Sequence, residues 1–491
     1  MATRRDQLQS YQFLLQRVIS ALVYRKTDPA QSPFRRAGGA AFAGVMLSVL
    51  ALAVTAAIGL FVDMFGSNTD WTKGNAIIIN EDDGSQYVVY PSDKDIENDE
   101  SGDLPPQRLY PVLNYTSAAL LAGTTETIYV NSADLISEEG AKEGKDGWVP
   151  SRGMEIGIPG APDSLPNTVT MDETLLSKSW QVCTAQHEAQ NHQVEPKSYV
   201  FVNSSAEDGN ELNEQDALSV KVGESEFLIW NNHKYEITGD ADAAVNFSSE
   251  PSTAVAPAYV NALPVGDPIK APPVKGTVGE DSNVDGYTIG TVLKQDQHYY
   301  VVTADGAAAI TQVQAEMQRN KEGISEIQEV SSTPSPTAQS LKPDPSNKSA
   351  PPATKPNYVN IKKNTSSCIT YGTDGEVSSI KTDAKVTKGA GISTSQVSVQ
   401  GAVLADQVVV HPGTSALVSS GGNGSGALLL VSDLGKTFPL SNKSVAFDIF
   451  GFPKGSVVTM PPSVVNLLPP GLADGGELSV KAASANLRGS Q

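Results

Sequence analysis

Gly435-Lys436-Thr437 has the residue types that hold phosphate in nucleotide-hydrolysing enzymes. In a phosphate loop the lysine reaches the phosphates and the threonine hydroxyl binds magnesium. Such a loop also needs a glycine five positions before Gly435, where this chain has Leu430. It needs a helix that begins at the lysine, and Pro439 prevents one. The pattern therefore favours a turn between two strands over a nucleotide site.

Cys183, His187 and His192 are a second group that could do chemistry, as metal ligands. Their spacing matches no zinc motif, and a fourth ligand is missing nearby. Cys368 is the only other cysteine, and two cysteines outside the cytoplasm favour one disulfide. Such a bridge predicts a central core built from separated segments. The sequence predicts no catalytic residue, no cofactor and no metal site.

An uncharged stretch, residues 37–62, is long enough to cross a membrane. At about 1.5 Å per residue it is about 39 Å long as a helix, and a hydrocarbon core is about 30 Å thick. The apolar part of a cleaved signal peptide is shorter, about 7–15 residues. Arg35 and Arg36 precede the stretch and Asp63 follows it. The positive-inside rule therefore predicts a single-pass protein with residues 1–36 in the cytoplasm.

The net charge differs between the parts of the chain on the two sides of this predicted membrane span. The whole chain has a net charge of -20, but residues 1–36 hold seven basic and two acidic side chains. The remainder is therefore strongly acidic, which argues against nucleic acid as a partner. The basic N-terminal segment suits the anionic lipids of a cytoplasmic leaflet.

The N-terminal segment also carries an apolar stripe at helical spacing. Leu8, Tyr11, Leu15, Val18 and Leu22 follow one another at intervals of three and four residues. This periodicity predicts an amphipathic helix. The same stripe would be buried in either of two roles: the helix could lie flat on lipid, or it could dock a partner protein. The residues alone leave both open.

Internal repeats explain the Gly435 turn. The stretches "VNALPVG" (260–266) and "VNLLPPG" (465–471) share the pattern V-N-x-L-P-x-G. A strand, a short polar turn and a second strand precede each of them, at 227–238 and 428–440. Residues 299–311 have the same form, and residues 87–114 have it with a longer insertion. In this alignment Gly435 and Lys436 lie at a hairpin tip.

Helical segments are predicted after two of these hairpins, at 114–123 and 310–323. In the first, Thr116 or Ser117 is the expected N-cap and Gly123 the expected end. A Pro-rich segment, 331–356, has no aromatic residue and predicts an exposed spacer, disordered or in polyproline conformation.

These patterns predict an α+β fold: an elongated extracytoplasmic region of about four small hairpin-and-helix modules around a central core. The predicted segments are a cytoplasmic helix and basic segment (1–36), a transmembrane helix (37–62), module 1 (70–125), a core segment (126–224), module 2 (225–270), module 3 (297–325), a Pro-rich linker (331–356), a second core segment (357–425) and module 4 (426–483).

Several blocks of this sequence occur in the same order in one known family. They include "YQFLLQRVISALVYRKTDPAQSPFRR", "YPVLNYTSAALLAG", "GIPGAPDSL", "WQVC", "YVNALPVGDP", "VVVHPGTSALV" and "VVNLLPPG". Over nearly its whole length the chain resembles EccB, the membrane-anchored component of actinobacterial type VII (ESX) secretion systems. Arg35 and Arg36 match the juxtamembrane basic block. Ala119 departs from the family, which usually has arginine there.

The resemblance implies a structural subunit of an inner (plasma) membrane secretion complex, acting with an EccC-type ATPase, EccD, EccE and copies of itself. It implies a cytoplasmic N-terminal helix, one transmembrane segment and a periplasmic body of four repeat domains around a disulfide-crossed core. It also favours partner docking for the N-terminal helix. Two alternatives remain: a nucleotide hydrolase, because some family members have been called ATPases, and a module that binds cell-wall glycan.

Overall fold

The computed structural model describes most of the chain after residue 70 and one helix before it. The described residues are 4–24, 44–46, 48, 71–100, 104–105, 107–132, 135, 155–165, 180–188, 194–249, 251–322, 326–387, 389–421, 426–473 and 475–488. Two compact units result, Met1–Asp70 and Trp71–Gln491. Most of the predicted membrane stretch 37–62, together with Arg35 and Arg36, lies outside the described residues. Among those that are described, no helix is both long and apolar enough to cross a bilayer.

Nine α-helices occur in the described part of the chain. They are α1 (Arg4–Tyr24), α2 (Asp93–Glu97), α3 (Tyr115–Ala122), α4 (Gly239–Val245), α5 (Pro257–Ala262), α6 (Gln312–Glu322), α7 (Pro462–Val465), α8 (Val480–Ala483) and α9 (Ala485–Arg488). A π-helical turn covers Val445–Ile449, and short 3-10 turns cover Trp71–Lys73, Phe247–Ser249 and Lys454–Ser456. Of these nine helices, α1 belongs to the first unit and the other eight belong to the second.

A seven-stranded sheet lies at the centre of the second unit. Its strands are β5 (Trp180–Glu188), β6 (Val194–Val202), β7 (Asn210–Glu211), β17 (Ser366–Tyr371), β18 (Val377–Ala384), β19 (Ile392–Ser393) and β20 (Gln407–Val410), in the order β19-β20-β6-β5-β17-β18-β7. Alternate residues of β5 face opposite sides, since strand side chains alternate. Trp180 and Val182 join the largest apolar cluster, and Cys183 and Ala185 join a smaller one.

Four small sheets surround this central sheet, and they share one strand order. The first sheet contains β1 (Ile77–Asn80), β2 (Gln86–Tyr90), β3 (Arg108–Pro111) and β4 (Thr127–Val130). The second contains β8 (Asp216–Val222), β9 (Ser225–Trp230), β10 (His233–Glu236) and β11 (Thr253–Ala254), with β16 (Asn357–Tyr358) added. The third contains β12 (Val292–Gln295), β13 (His298–Thr303), β14 (Gly306–Ile310) and β15 (Gln328–Glu329), and the fourth contains β21 (Ala416–Ser420), β22 (Ala427–Val431), β23 (Thr437–Pro439) and β24 (Val457–Met460).

In each small sheet the first three strands are antiparallel and the fourth lies parallel beside the first. A parallel return needs a crossover connection. Helices α3, α4 and α6 provide it in the first three sheets, and the π-helical turn provides it in the fourth. The strands β8 and β21 lie before the module boundaries expected at 225 and 426. The division into modules and core segments stays a prediction.

The ends of α3 show how local sequence fixes one of these crossovers. Asn114 is the N-cap, because its side-chain oxygen accepts a hydrogen bond of 3.0 Å from the Ser117 N–H. The expected N-cap, Thr116 or Ser117, is therefore wrong: both residues lie inside the helix and are buried. Gly123 ends the helix as predicted, with a left-handed φ of 69° that glycine adopts without strain.

The repeated V-N-x-L-P-x-G motif has the same structural role in the second and fourth sheets. Its C-terminal part forms a short parallel bridge to the third strand of each sheet, Lys234 with Val265 and Thr437 with Pro470. The motif glycine then lies against an aromatic ring of that strand. A Cβ on Gly266 would lie 2.1 Å from the Tyr235 ring, and one on Gly471 would lie 2.2 Å from the Phe438 ring. Only glycine fits this contact.

The Pro-rich segment 331–356 is mostly exposed, but hydrogen bonds hold it along its length. Thr337 forms a parallel bridge to Ala307, at the place that the motif occupies in the second and fourth sheets. Farther along, the Tyr235 hydroxyl donates to the Ser349 and Ala350 carbonyls at 3.2 and 2.8 Å. This differs from a disordered spacer. Prolines prevent a segment from forming its own core, but they do not prevent it from packing on a neighbour.

Apolar clusters join neighbouring sheets of the second unit. The largest cluster combines the central sheet with residues of the second and fourth sheets. A second cluster combines the first and fourth sheets, with Ala483 and Leu487 of the C-terminal helices α8 and α9 buried in it. In a third, Val313 and Met317 of α6 pack against α4, which joins the third sheet to the second. The N-terminal and C-terminal sheets of the second unit therefore share one core.

Candidate functional site

The apolar stripe on α1 is the candidate site of the first unit. The helix forms over Arg4–Tyr24, and its stripe residues are well exposed: Leu8 60%, Tyr11 67%, Leu15 42%, Val18 52% and Leu22 80%. Exposed apolar area gains about 25 cal/mol per Å² when another surface covers it. The helix therefore has a face suited to a partner or to lipid. Its predicted role in docking stays a prediction.

The disulfide joins the two separated halves of the central sheet. Cys183 on β5 and Cys368 on β17 lie directly opposite each other, with Cα atoms 4.0 Å apart, and both are buried. The predicted pairing is confirmed. A sulfur in a disulfide cannot be a thiolate ligand, so the alternative in which Cys183 binds metal is wrong. Within the described residues, no group of three or more histidine, cysteine or acidic side chains is arranged to hold a metal ion.

Asp406, directly before β20, is a half-buried carboxylate that joins β20 to β6. It accepts hydrogen bonds from the Ser198 N–H at 2.8 Å and the Ser198 hydroxyl at 2.7 Å, and Lys197 lies 3.1 Å away. Burial alone would raise the pKa of Asp406, but the hydrogen bonds from Ser198 and the Lys197 ammonium outweigh it and hold this pKa below its usual value. Asp406 is therefore ionised at neutral pH and acts as a structural anchor.

Two buried tyrosines connect α5 to the central sheet. The hydroxyl of Tyr259 lies 2.7 Å from that of Ser367, and the Tyr371 hydroxyl donates to the Ala262 carbonyl at 2.6 Å. Burial strongly raises the pKa of both tyrosines. They stay protonated, so they suit structural positions better than general-base chemistry.

The Gly435-Lys436-Thr437 stretch is a hairpin turn between β22 and β23, as predicted. Gly435 has a left-handed φ of 68°, and Thr437 begins β23. The Thr437 hydroxyl is buried and donates to the Pro469 carbonyl at 3.4 Å, so it does not face a metal-bound phosphate. The sequence missed the reason for the glycine: a Cβ on Gly435 would lie 2.8 Å from the Val408 side chain of β20.

A small cavity beside this turn is a poor fit for a nucleotide. Its volume is about 220 Å³, below the roughly 300–1,000 Å³ of typical ligand pockets. Ser415 and Ser432 line it, together with one charged side chain, Asp433, whose carboxylate would repel phosphate. A larger cavity of about 560 Å³ lies where the second sheet, the central sheet and α7 meet; Asn232 and His233 line it.

Sequence reasoning found the cysteines and the turn, but it missed Asp406. A signal was present: Asp406 is the only charged residue between Lys388 and His411. A lone carboxylate in an apolar run is costly to bury without partners, so it should have indicated a hydrogen-bonded anchor. Its partners Lys197 and Ser198 are about two hundred residues away, and no local pattern identifies them.

Proteins of known name resemble this chain over long stretches. The ESX-1 secretion system ATPase EccB1 of Mycolicibacterium smegmatis is 26% identical over 325 residues, which cover 64% of this chain and 60% of that protein. The chain thus spans less than two thirds of that relative's length. The ESX-5 secretion system ATPase EccB5 of Mycobacterium tuberculosis is 25% identical over 505 residues, covering 95% of this chain and 91% of that protein.

Solved structures share the fold. A chain in the structure of an intact ESX-5 inner membrane complex matches with a TM-score of 0.58 and 24% identity, covering 98% of this chain and 95% of that one. A chain in the structure of an EccB3 dimer from the ESX-3 core complex matches with a TM-score of 0.56 and 21% identity, covering 83% and 99%. The family model for transport domain B of the type VII secretion system ESX-1 matches residues 1–488, so the chain belongs to the EccB family.

Proposed function

We propose that this chain is a structural subunit of an inner-membrane type VII secretion complex. Residues 1–36 lie in the cytoplasm and couple to an EccC-type ATPase, residues 37–62 cross the membrane once, and the rest assembles outside the cytoplasm. EccD, EccE and further copies of this chain are the other partners. The relatives fit this role, since their names and titles place them in ESX secretion systems and their inner membrane complexes.

The observation that carries the proposal is the exposed apolar stripe on α1. Five large side chains at helical spacing stay uncovered, which is the usual feature of a helix that binds in a groove. The disulfide supports the topology, because such bonds persist where the environment is oxidising, on the far side of the membrane from the ATPase. The described hairpin-and-helix sheets support the predicted division into modules around a core.

A nucleotide hydrolase is the second candidate, and the names of EccB1 and EccB5 favour it. The geometry at Gly435-Lys436-Thr437 opposes it, because the threonine hydroxyl is engaged and the nearby cavity is small and acidic. The full chain, purified in detergent, should hydrolyse ATP no faster than its Lys436→Ala variant. A rate that depends on Lys436 would replace the scaffold proposal with the hydrolase.

Docking through α1 is tested with one charge on the stripe. Leu15→Asp should abolish co-purification of the ATPase partner from solubilised native membranes, because an aspartate cannot be buried in an apolar interface without a partner. Gln9→Asp is the matched control, since Gln9 is exposed and lies on the opposite face of α1. The control should co-purify as the unmodified chain does.

The same two variants separate docking from lipid binding. If Leu15→Asp keeps the ATPase partner but releases the N-terminal segment from anionic vesicles, the stripe lies on lipid and the docking role is wrong. If both variants lose the partner equally, the effect comes from added negative charge and not from the stripe. Only a loss confined to Leu15→Asp supports the proposal.

A further inference from the structure

An uncharged hairpin lies at one edge of the central sheet. Residues 389–405, here called the neutral hairpin, contain no charged side chain, although 18% of the whole chain is charged. The hairpin begins with β19, which is the edge strand of the seven-stranded sheet. It continues through an antiparallel bridge between Val397 and Val403 and returns to β20. Two strands, β20 and β6, lie between β19 and the disulfide-linked pair β5 and β17.

Hydrogen bonds hold the neutral hairpin in one conformation. The Thr394 N–H donates to the Asp406 carbonyl at 3.0 Å, and the Gln396 side chain donates to the Asp406 carboxylate at 2.7 Å. Within the hairpin, the Ser398 N–H donates to the Ala402 carbonyl at 2.8 Å. A surface fixed in this way loses little conformational entropy when it binds.

The neutral hairpin exposes branched apolar side chains to solvent. The exposed fractions are 40% for Ile392, 51% for Val397, 97% for Val399 and 38% for Val403. Single exposed apolar residues are common, but Val397 and Val403 lie directly opposite each other in the antiparallel bridge, in a hairpin without any charge, which is a feature of protein interfaces.

The Gly435 turn lies against β20, the strand that pairs with β19. Gly435 lies against the side chain of Val408, and Val408 pairs directly with Ile392 across β19 and β20. Side chains directly opposite in an antiparallel pair share a face of the sheet. Leu434, the residue before Gly435, is 58% exposed. The glycine that resembled part of a phosphate loop instead lets this turn approach Val408 of β20 closely.

The net charge of the chain indicates which partner binds to the neutral hairpin. The part of the chain after residue 36 is strongly acidic, so two copies repel each other over most of their surface. In a two-fold interface, a group near the axis faces its own counterpart, so a charge there meets the same charge. The neutral hairpin is free of this repulsion. We propose that the neutral hairpin forms the surface through which a second copy of this chain binds.

This inference rests on the proposed function, in which several copies act together, and it has its own test. Val399→Glu in the full chain, solubilised from native membranes, should weaken self-association at least ~10-fold, because like charges then meet across the axis. Val399 is almost fully exposed, so the substitution leaves the fold intact. Val265→Glu is the matched control, at a valine 73% exposed on the second sheet, and should leave self-association unchanged.

Cross-linking in native membranes provides the second measurement. Both cysteines of the chain form the disulfide, so Val399→Cys adds the single free thiol. A short bismaleimide should then link two copies, whereas Val265→Cys should give no linked dimer. A monomeric wild-type chain, unchanged association of Val399→Glu, or cross-links from Val399→Cys only to other proteins would each overturn the inference. Val399→Glu should still co-purify the ATPase partner, which separates this test from that of α1.

Discussion

The central sheet and the small sheets are built from the chain in opposite ways. In the sheet that begins with β12, neighbouring antiparallel strands follow one another through short turns. In the central sheet, β5 pairs with β17, and 185 positions separate the two cysteines that face each other. Bringing such distant segments together costs more loop-closure entropy than closing a hairpin. Apart from β16 in the second sheet, the small sheets are therefore local structures, whereas the central sheet depends on long-range restraints.

Removing the disulfide should give the largest difference between the two kinds of sheet. The double variant Cys183→Ser, Cys368→Ser should lower the free energy of unfolding by about 2–5 kcal/mol, since the bridge no longer restricts the unfolded chain. Hydrogen exchange should increase most in β5 and β17, and much less in β13. An equal increase in β13 would show that the third sheet is not independent of the core.

Gly435→Ala tests the contact between the fourth sheet and β20. The new methyl group would meet Val408 while the backbone keeps a left-handed φ, so we expect a loss of about 2–4 kcal/mol in the free energy of unfolding. Denaturant unfolding measures the loss, and hydrogen exchange should locate it at β20 and β22. If the loss is no larger than that of a Gly→Ala substitution at a left-handed glycine whose new methyl group meets no other atom, the Val408 contact contributes nothing.

Asp406→Asn tests the anchor between β6 and the neutral hairpin. Losing charge-assisted hydrogen bonds should cost about 1–3 kcal/mol. Because the folded-state pKa of Asp406 lies below the ordinary value of 3.8, its contribution is complete above that value and is lost as pH falls through the folded-state pKa. The unfolding midpoints of the wild type and the variant should therefore differ at neutral pH and converge in acid. A constant difference would assign the loss to packing.

Gly123→Ala gives the smallest expected effect and is the reference for Gly435→Ala. Gly123 has nearly the same left-handed φ, 69°, but a Cβ there would meet nothing within 4 Å. The expected loss is about 1 kcal/mol, from backbone strain alone. The difference between the two alanine variants then measures what packing against the central sheet adds. If Gly123→Ala costs as much as Gly435→Ala, that packing has no separate effect.

Sequence patterns worked best where structure is local. The spacing from Leu8 to Leu22 predicted α1, and Gly123 was the correct end of α3. The turn at Gly435 was predicted because the stretch aligns with the other hairpin turns of the chain and because Pro439 prevents a helix there. The N-cap of α3 was misplaced by a few residues, since asparagine, serine and threonine all cap helices and several of them occur together.

The same patterns were poor guides to contacts between distant segments. Composition indicated that 331–356 has no core of its own, but not that Thr337 would bridge to β14. The repeated V-N-x-L-P-x-G motif was visible, but the contact of Gly266 with the Tyr235 ring was not. For the candidate sites, the sequence indicated the α1 stripe but not the neutral hairpin. The alternation of apolar and polar residues in a strand does not show which of its two faces remains exposed to solvent.

The sequence by itself determined the local elements of this protein: which stretches turn, which repeat, where charge is absent and that two cysteines can pair. Those features depend on residues a few positions apart, whose steric and hydrogen-bonding preferences act in any context. Only the tertiary structure decided that β5 lies beside β17, that Gly435 packs on Val408 and that Val399 stays exposed. Such contacts are set by the competition of all apolar surfaces for burial, which no single segment encodes.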